Sequence, residues 1–173
     1  EKSGEQDRAV AYLLGTALIR LGEVEKGQVL IDQILREGET AEAHILLGTA
    51  YLMVRDVAGA LKEFERAVEL NPTLPTAQSH LAKTLRDMGR VDEAQVHFRK
   101  ELEINPHDFD SLLYTGVYLY KREQNYKEAL ERFEHALRIR PGTLEVRFQI
   151  ALVYVLTERI DEAVLMIEQI VEE

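Results

Sequence analysis

The chain has no cysteine and no tryptophan, and only four prolines among its 173 residues. Without cysteine it can form no disulfide, thiolate metal site or cysteine nucleophile. It also lacks an apolar run of the roughly 18–20 residues that a membrane-spanning helix needs. The apolar stretch 9–19 has no basic segment before it and contains Gly15 and Thr16, so we expect a helix rather than a secretion signal. We therefore expect a soluble protein without a membrane span, in a compartment that the sequence does not specify.

Positive charge is scarce as well. The chain carries 21 lysines and arginines against 31 aspartates and glutamates, for a net charge of −10. Proteins that track the phosphates of nucleic acids are usually basic, so nucleic acid is a poor partner. The apolar content of 46 % argues against intrinsic disorder.

Motifs for catalysis and cofactor binding are missing too. The chain contains no phosphate-binding glycine loop, His-Glu-x-x-His, Gly-x-Ser-x-Gly or calcium loop. Each histidine lacks a second ligand at helical spacing, so we expect no metal, no cofactor and no enzyme activity. Asp108 and Asp110 flank Phe109, which indicates carboxylates at the start of a helix rather than a metal site.

The prolines reveal an internal repeat. Pro72, Pro106 and Pro141 are separated by 34 and 35 residues, a period typical of stacked arrays. An apolar residue followed by a small one recurs on that period at Leu14-Gly15, Leu47-Gly48, Leu81-Ala82, Thr115-Gly116 and Ile150-Ala151. A bulky column recurs at Ile31, Phe64, Phe98, Phe133 and Ile167. We expect these bulky residues to fill the space between successive hairpins.

Each repeat unit predicts two helices. Apolar residues recur at spacings of three and four, as in Leu61, Phe64 and Val68, and polar or glycine-containing breaks separate the two halves. The predicted helices are 5–21, 24–37, 41–54, 57–70, 75–88, 91–104, 109–122, 126–139, 144–157 and 160–172.

The columns resemble the tetratricopeptide repeat (TPR), with Leu47, Gly48, Tyr51, Ala60, Phe64, Ala67 and Pro72 forming an almost complete set. The resemblance covers residues 8–173 and implies an all-α fold, a right-handed α-α superhelix (solenoid) of five helical hairpins. The expected repeats are 8–40 (divergent), 41–74, 75–108, 109–143 and 144–173, the last without a capping helix. Residues 1–7 would be a leading segment or a remnant outside the repeats.

Several positions depart from the family pattern. Glu39 stands where repeats two to four have proline, and Gly27 and Ile31 replace the usual alanine and aromatic residue. The tryptophan column holds Ala11, His44, Gln78, Leu112 and Arg147. Glu101 replaces a small alanine. We expect its side chain to turn outward or to pair with a cation, because a buried unpaired carboxylate is costly.

The resemblance implies a non-enzymatic scaffold that binds a peptide or protein segment in a concave groove lined by the first helix of each hairpin. The candidate groove residues are Tyr12, Thr16, Ile45, Thr49, Ser79, Lys83, Arg86, Leu113, Tyr120 and Phe148. The partner would be apolar and carry an acidic group that meets Lys83 and Arg86. Alternatively, these cations pair only with Asp87 and Asp110. Other apolar positions could belong to the groove or to the core: Ile19, Leu52, Val117, Leu152 and Val155.

Two further functions stay open. The last predicted helix still carries Val164, Ile167 and Ile170, so the chain could form a homo-oligomer through its C-terminal end. It could also be the regulatory or docking arm of a larger enzyme, such as a glycosyltransferase or a kinase.

Overall fold

The structure is a computed structural model that describes the backbone of residues 2–37 and 39–171, with side chains throughout except at 2–9, 12, 34, 35 and 37. In these residues it has ten α-helices: α1 (Lys2–Arg20), α2 (Val24–Glu37), α3 (Ala41–Met53), α4 (Val57–Leu70), α5 (Ala77–Asp87), α6 (Val91–Ile104), α7 (Phe109–Arg122), α8 (Tyr126–Ile139), α9 (Leu144–Leu156) and α10 (Ile160–Val171). None of the helices so described is both long and apolar enough to cross a membrane.

The all-α class is confirmed, and the predicted helices lie close to the observed ones. The start of α5 differs most instructively, since it falls at Ala77 instead of residue 75. Thr76 adopts the left-handed conformation with φ of 73°, which a right-handed helix does not accommodate.

The chain forms two compact units, and the division falls inside α6, between Ala94 and Gln95. In the first unit, α1 packs against α2 and α3, α3 against α4, and α4 against α5. Its buried core includes Ile19, Ile31, Leu47, Phe64 and Leu85. Neighbouring helices therefore bury one another in sequence order.

The second unit repeats this arrangement. Here α7 packs against α8 and α9, α8 against α9, and α9 against α10. A single buried cluster runs through these helices and includes Leu112, Leu113, Phe133, Ile150 and Val153.

Close approach of the two helices in a hairpin explains the small column. A Cβ atom added to Gly48 would lie 2.6 Å from Cε1 of Phe64, and one added to Gly116 would lie 2.6 Å from Cε1 of Phe133. The bulky residue thus packs inside its own hairpin. Phe64 also stacks on His80 of the next hairpin at a ring-centroid distance of 5.1 Å. We expected this ring to lie between hairpins, and it does contact the next hairpin, but it also packs between the two helices of its own.

The turn inside each hairpin contains one residue with positive φ. These residues are Gly22, Arg55, Gly89, Gln124 and Glu158, with φ between 53° and 84°. Only two are glycines, although L-residues pay a steric cost in this conformation. The turn geometry therefore recurs even where the residue type does not favour it.

Side-chain caps begin several helices. The carboxylate of Asp108 accepts a hydrogen bond from the backbone N–H of Ser111 at 2.8 Å, which confirms its predicted place at a helix start. Asp110 lies in the first turn of the same helix.

Glu101 is 0 % exposed, so the expectation that its side chain turns outward is wrong, whereas pairing with a cation stays a prediction. Glu101 occupies the repeat position of Ala67 and Ala136, which are also fully buried. At this position the Cα–Cβ bond points away from solvent whichever residue is present.

We predict that Gly48→Val destabilises the first unit by about 2 kcal/mol, because the new side chain overlaps the buried Phe64 ring. Ala58→Val, at an exposed site on α4, is the matched control and should cost only about 0.5 kcal/mol. Urea unfolding followed by circular dichroism measures both. Equal losses for the two variants would contradict the packing constraint.

Candidate functional site

The candidate groove residues of the first unit lie on α1, α3 and α5. Thr16 and Thr49 are half-buried, and each donates its hydroxyl to a carbonyl of its own helix, Leu13 O at 3.0 Å and Ile45 O at 2.8 Å. Ile45, on α3, is also half-buried. The side chain of Tyr12 lies outside the described residues. This surface offers methyl groups more readily than free hydroxyls.

The basic spot lies on α5. Arg86 donates from Nε and Nη2 to Oδ1 of Asp87 at 3.0 and 2.6 Å, so one of the two suggested acidic partners is observed. Its side chain is 28 % exposed, and Lys83 is half-buried. A ligand carboxylate would therefore meet an arginine that already has an anionic neighbour.

Three candidate groove residues offer almost no surface. Ser79 is 4 % exposed, Leu113 is 1 % exposed and Tyr120 is 5 % exposed. Leu113 and Tyr120 belong to the apolar core of the second unit. Alignment with a family position specifies the helix and the approximate face, but burial depends on the size of the neighbouring side chains.

Tyr120 acts as a bridge between helices. Its hydroxyl donates to Oε1 of Gln149 on α9 at 2.7 Å, and its ring lies 6.3 Å from that of Phe133. Nζ of Lys121 lies 5.6 Å from the centroid of the same ring. The residue expected to anchor a ligand thus joins α7 to α9.

An exposed apolar stripe runs along α9. Phe148 is 53 % exposed, Val155 49 % and Leu156 53 %, and Leu152 is half-buried. Residues spaced by three and four lie on one helix face. Of the positions left open between core and groove, Ile19 is fully buried, Leu52 and Val155 are exposed, and Val117 and Leu152 are half-buried.

Two histidines regarded as isolated meet in the fold. Nδ1 of His107, before α7, lies 2.8 Å from Nε2 of His135 on α8. Burial, together with the charge of Arg138, lowers the pKa of His135. Helical spacing could not reveal a pair separated by 28 residues. Within the described residues, no group of three or more metal-binding side chains comes together around them.

Family comparisons decide what kind of chain this is. Three profiles described as tetratricopeptide repeat match residues 41–74, 80–143 and 121–173. The chain belongs to the tetratricopeptide repeat family. Members of this family are generally scaffolds without enzyme activity. In general terms, this chain is a scaffold for protein–protein interaction.

Curated relatives of this TPR chain are distant and much longer. Anaphase-promoting complex subunit 3 of Schizosaccharomyces pombe is 27 % identical over 163 residues, which cover 75 % of this chain and 24 % of the relative. BBSome complex member BBS4 of Bos taurus is 24 % identical over 115 residues, which cover 66 % of this chain and 22 % of that protein. The chain thus spans about a quarter or less of the length of these relatives.

Solved structures match the TPR chain over nearly its whole length. A mutant of MamA has a TM-score of 0.73 at 24 % identity, covering 97 % of this chain and 98 % of the other. MamA from Desulfovibrio magneticus RS-1 has a TM-score of 0.77 at 16 % identity, covering 95 % and 93 %. At these identities the likeness shows the fold, and the predicted TPR solenoid is confirmed.

We predict that Tyr120→Phe lowers the free energy of unfolding by about 1 kcal/mol, because it removes the hydrogen bond to Gln149. Tyr126→Phe, at a half-buried tyrosine of α8 in the same unit, is the control for loss of a hydroxyl and should cost less. Thermal unfolding measures both. A stability of Tyr120→Phe equal to the wild type would contradict the bridging role.

Proposed function

We propose that this TPR chain binds a peptide or protein segment on the exposed surfaces of the first helices, α1, α3, α5, α7 and α9. The observation that carries the proposal is the apolar stripe on α9, formed by Phe148, Leu152, Val155 and Leu156. Contiguous exposed apolar surface is typical of interaction sites, and aromatic residues commonly anchor them. The partner is therefore apolar where it meets α9.

The stripe on α9 supplies part of the free energy that a specific contact needs, so a partner must also bind elsewhere on the chain. Completing the burial of a large apolar side chain that is half-exposed stabilises a complex by roughly 1 kcal/mol. Phe148, Val155 and Leu156 are each about half-exposed. Together they supply a few kcal/mol before the entropic cost of association is counted.

Lys83 and Arg86 on α5 support an acidic group in the ligand. Because Arg86 already contacts Asp87, an incoming carboxylate competes with that pair and gains only part of the interaction. This electrostatic contribution should weaken as salt is added, since both cations are partly exposed.

The names of the relatives favour membership of a protein assembly. Two of them are described as a subunit of the anaphase-promoting complex and a member of the BBSome complex. By analogy, the partner of this chain would be another protein of an assembly. A role as the docking arm of a larger enzyme is compatible with the same surface, and the full-length sequence would test it.

We predict that short peptides selected against the chain from a random display library lose at least tenfold in affinity on Phe148→Ser. Fluorescence anisotropy measures the affinity, and Lys83→Glu should weaken acidic peptides and reduce their salt dependence. Val96→Ser, which removes a 52 % exposed valine from α6, is the matched control and should bind normally. Peptides that bind Phe148→Ser as well as the wild type would contradict the site.

Self-association is a second candidate function, favoured by the exposed face of α10. Val164, Leu165, Ile167 and Val171 are 48, 58, 44 and 78 % exposed. Ile167 occupies the repeat column of Phe133, which is fully buried in the preceding hairpin. The face therefore has the composition of a helix-packing surface, which a second copy of the chain could cover.

If α10 mediates self-association, sedimentation of the wild type will show mass increasing with concentration, and Ile167→Glu will remove that increase. Val96→Glu introduces the same charge on α6 and should leave association unchanged. A wild-type chain that remains monomeric at every concentration would eliminate this candidate.

A further inference from the structure

Two departures from the repeat pattern meet in the first unit. Glu39 replaces the proline that closes a repeat, and His44 occupies the tryptophan column of the next one. In the fold, Nε2 of His44 lies 2.9 Å from Oε1 of Glu39, and Nδ1 lies 2.6 Å from Oε2 of Glu63. His44 is only 4 % exposed. The imidazole therefore joins the link before α3 to α4, with a carboxylate on each ring nitrogen.

This arrangement requires a proton that a neutral imidazole lacks. A neutral ring has one N–H donor, whereas both partners here are carboxylates, which only accept when they are ionised. Both contacts are satisfied together when the ring is the imidazolium. Burial lowers the pKa of His44, but the hydrogen bonds to Glu63 and Glu39 outweigh it and raise that pKa above 6.5.

Arg66 keeps the proton on the histidine by holding Glu39 ionised. Its Nε and Nη2 donate to the two oxygens of Glu39 at 2.7 and 2.6 Å, and its Nη1 donates to Glu69 at 3.0 Å. The hydrogen bond from Arg66 is the main reason that the pKa of Glu39 falls to about 2. Glu39 therefore stays an acceptor at every pH near neutrality.

The other charged groups around His44 are mostly acidic. The cleft beside it is lined by Asp32 of α2 and by Lys62, Glu63, Glu65, Arg66 and Glu69 of α4, as well as by Glu39. Tyr51 of α3 stays neutral, because burial, followed by the charges of Glu63, Asp56 and Asp32, raises its pKa to about 12. The excess of carboxylates favours the charged ring.

The next junction along the chain uses a neutral contact at the same columns. Gln78, which is the counterpart of His44, donates from Nε2 to the carbonyl of Pro72, the counterpart of Glu39, at 3.2 Å. No proton is gained or lost there between pH 5 and 9. The charged contact is thus an alternative to a neutral one within the same fold.

We propose that protonated His44 connects the link before α3 to α4 by hydrogen bonds to Glu39 and Glu63, and that loss of the proton loosens the junction between the first and second hairpins. The inference is independent of the proposed peptide binding. A group whose folded pKa is raised contributes stability that is complete below its unfolded pKa of about 6.5 and is lost as pH rises through the folded pKa. Arg66 continues to hold Glu39 after deprotonation, so the loosening is local opening rather than unfolding.

Nuclear magnetic resonance tests the proposal on the wild-type chain. The ring nitrogens of His44 are titrated until the proton is lost, and amide exchange protection at Glu39 to His44 is compared below and above that midpoint. We expect the His44 titration to have its midpoint above pH 6.5. The protection factors should fall by about tenfold for each pH unit by which that midpoint exceeds 6.5. A midpoint at or below 6.5, or protection that is unchanged across it, would overturn the proposal.

Variants distinguish the effect of the His44 contacts with Glu39 and Glu63 from general effects of alkaline pH. His44→Gln copies the neutral junction of Gln78 and should make protection independent of pH. Glu39→Gln removes one of the two carboxylates and leaves Glu63 on Nδ1, so it should lower the midpoint and reduce the pH-dependent fall without abolishing it. His107→Gln, an exposed histidine of the second unit, is the matched control and should keep the wild-type profile. A pH-dependent fall of wild-type size in His44→Gln would also overturn the proposal.

Discussion

Close packing of a small residue on one helix against a bulky residue on the other is the constraint on which each hairpin depends. At Gly48 and Gly116 the aromatic ring of the partner helix occupies the space that a Cβ atom would need. This approach holds the two helices near enough to bury a thin layer of apolar side chains. Since every hairpin buries only what its neighbours cover, the chain is built from local contacts rather than around one central core.

The same constraint determines which apolar residues remain on the surface. The packed columns absorb the residues at the helix–helix contacts, so apolar residues outside those columns need another explanation. Phe148 and Leu156 on α9 lie outside the core cluster although α9 itself is well packed through Val146, Ile150 and Val153. A helix that is apolar on its exposed face as well as its packed face is suited to bind a further segment.

The helices were predictable because their signals are local and repeated. Periodic apolar residues and turn residues specify where α4 or α8 begins and ends without knowledge of their neighbours. Burial of candidate site residues was less predictable, since Leu113 and Tyr120 occupy family groove positions yet lie in the core. The His44 contacts could not be foreseen, because they join residues that no helical spacing connects. The burial of Glu101 was not foreseen, because its position on α6 faces the neighbouring helices and a polar side chain there is buried as well.

Binding on the first helices is the central claim, and chemical-shift mapping with a display-selected peptide tests it most directly. The account predicts shifts concentrated at Phe148, Leu152 and Val155 of α9, with further shifts at Lys83 and Arg86 when the peptide is acidic. Shifts confined to the second helices of the hairpins, such as α6 or α10, would contradict it.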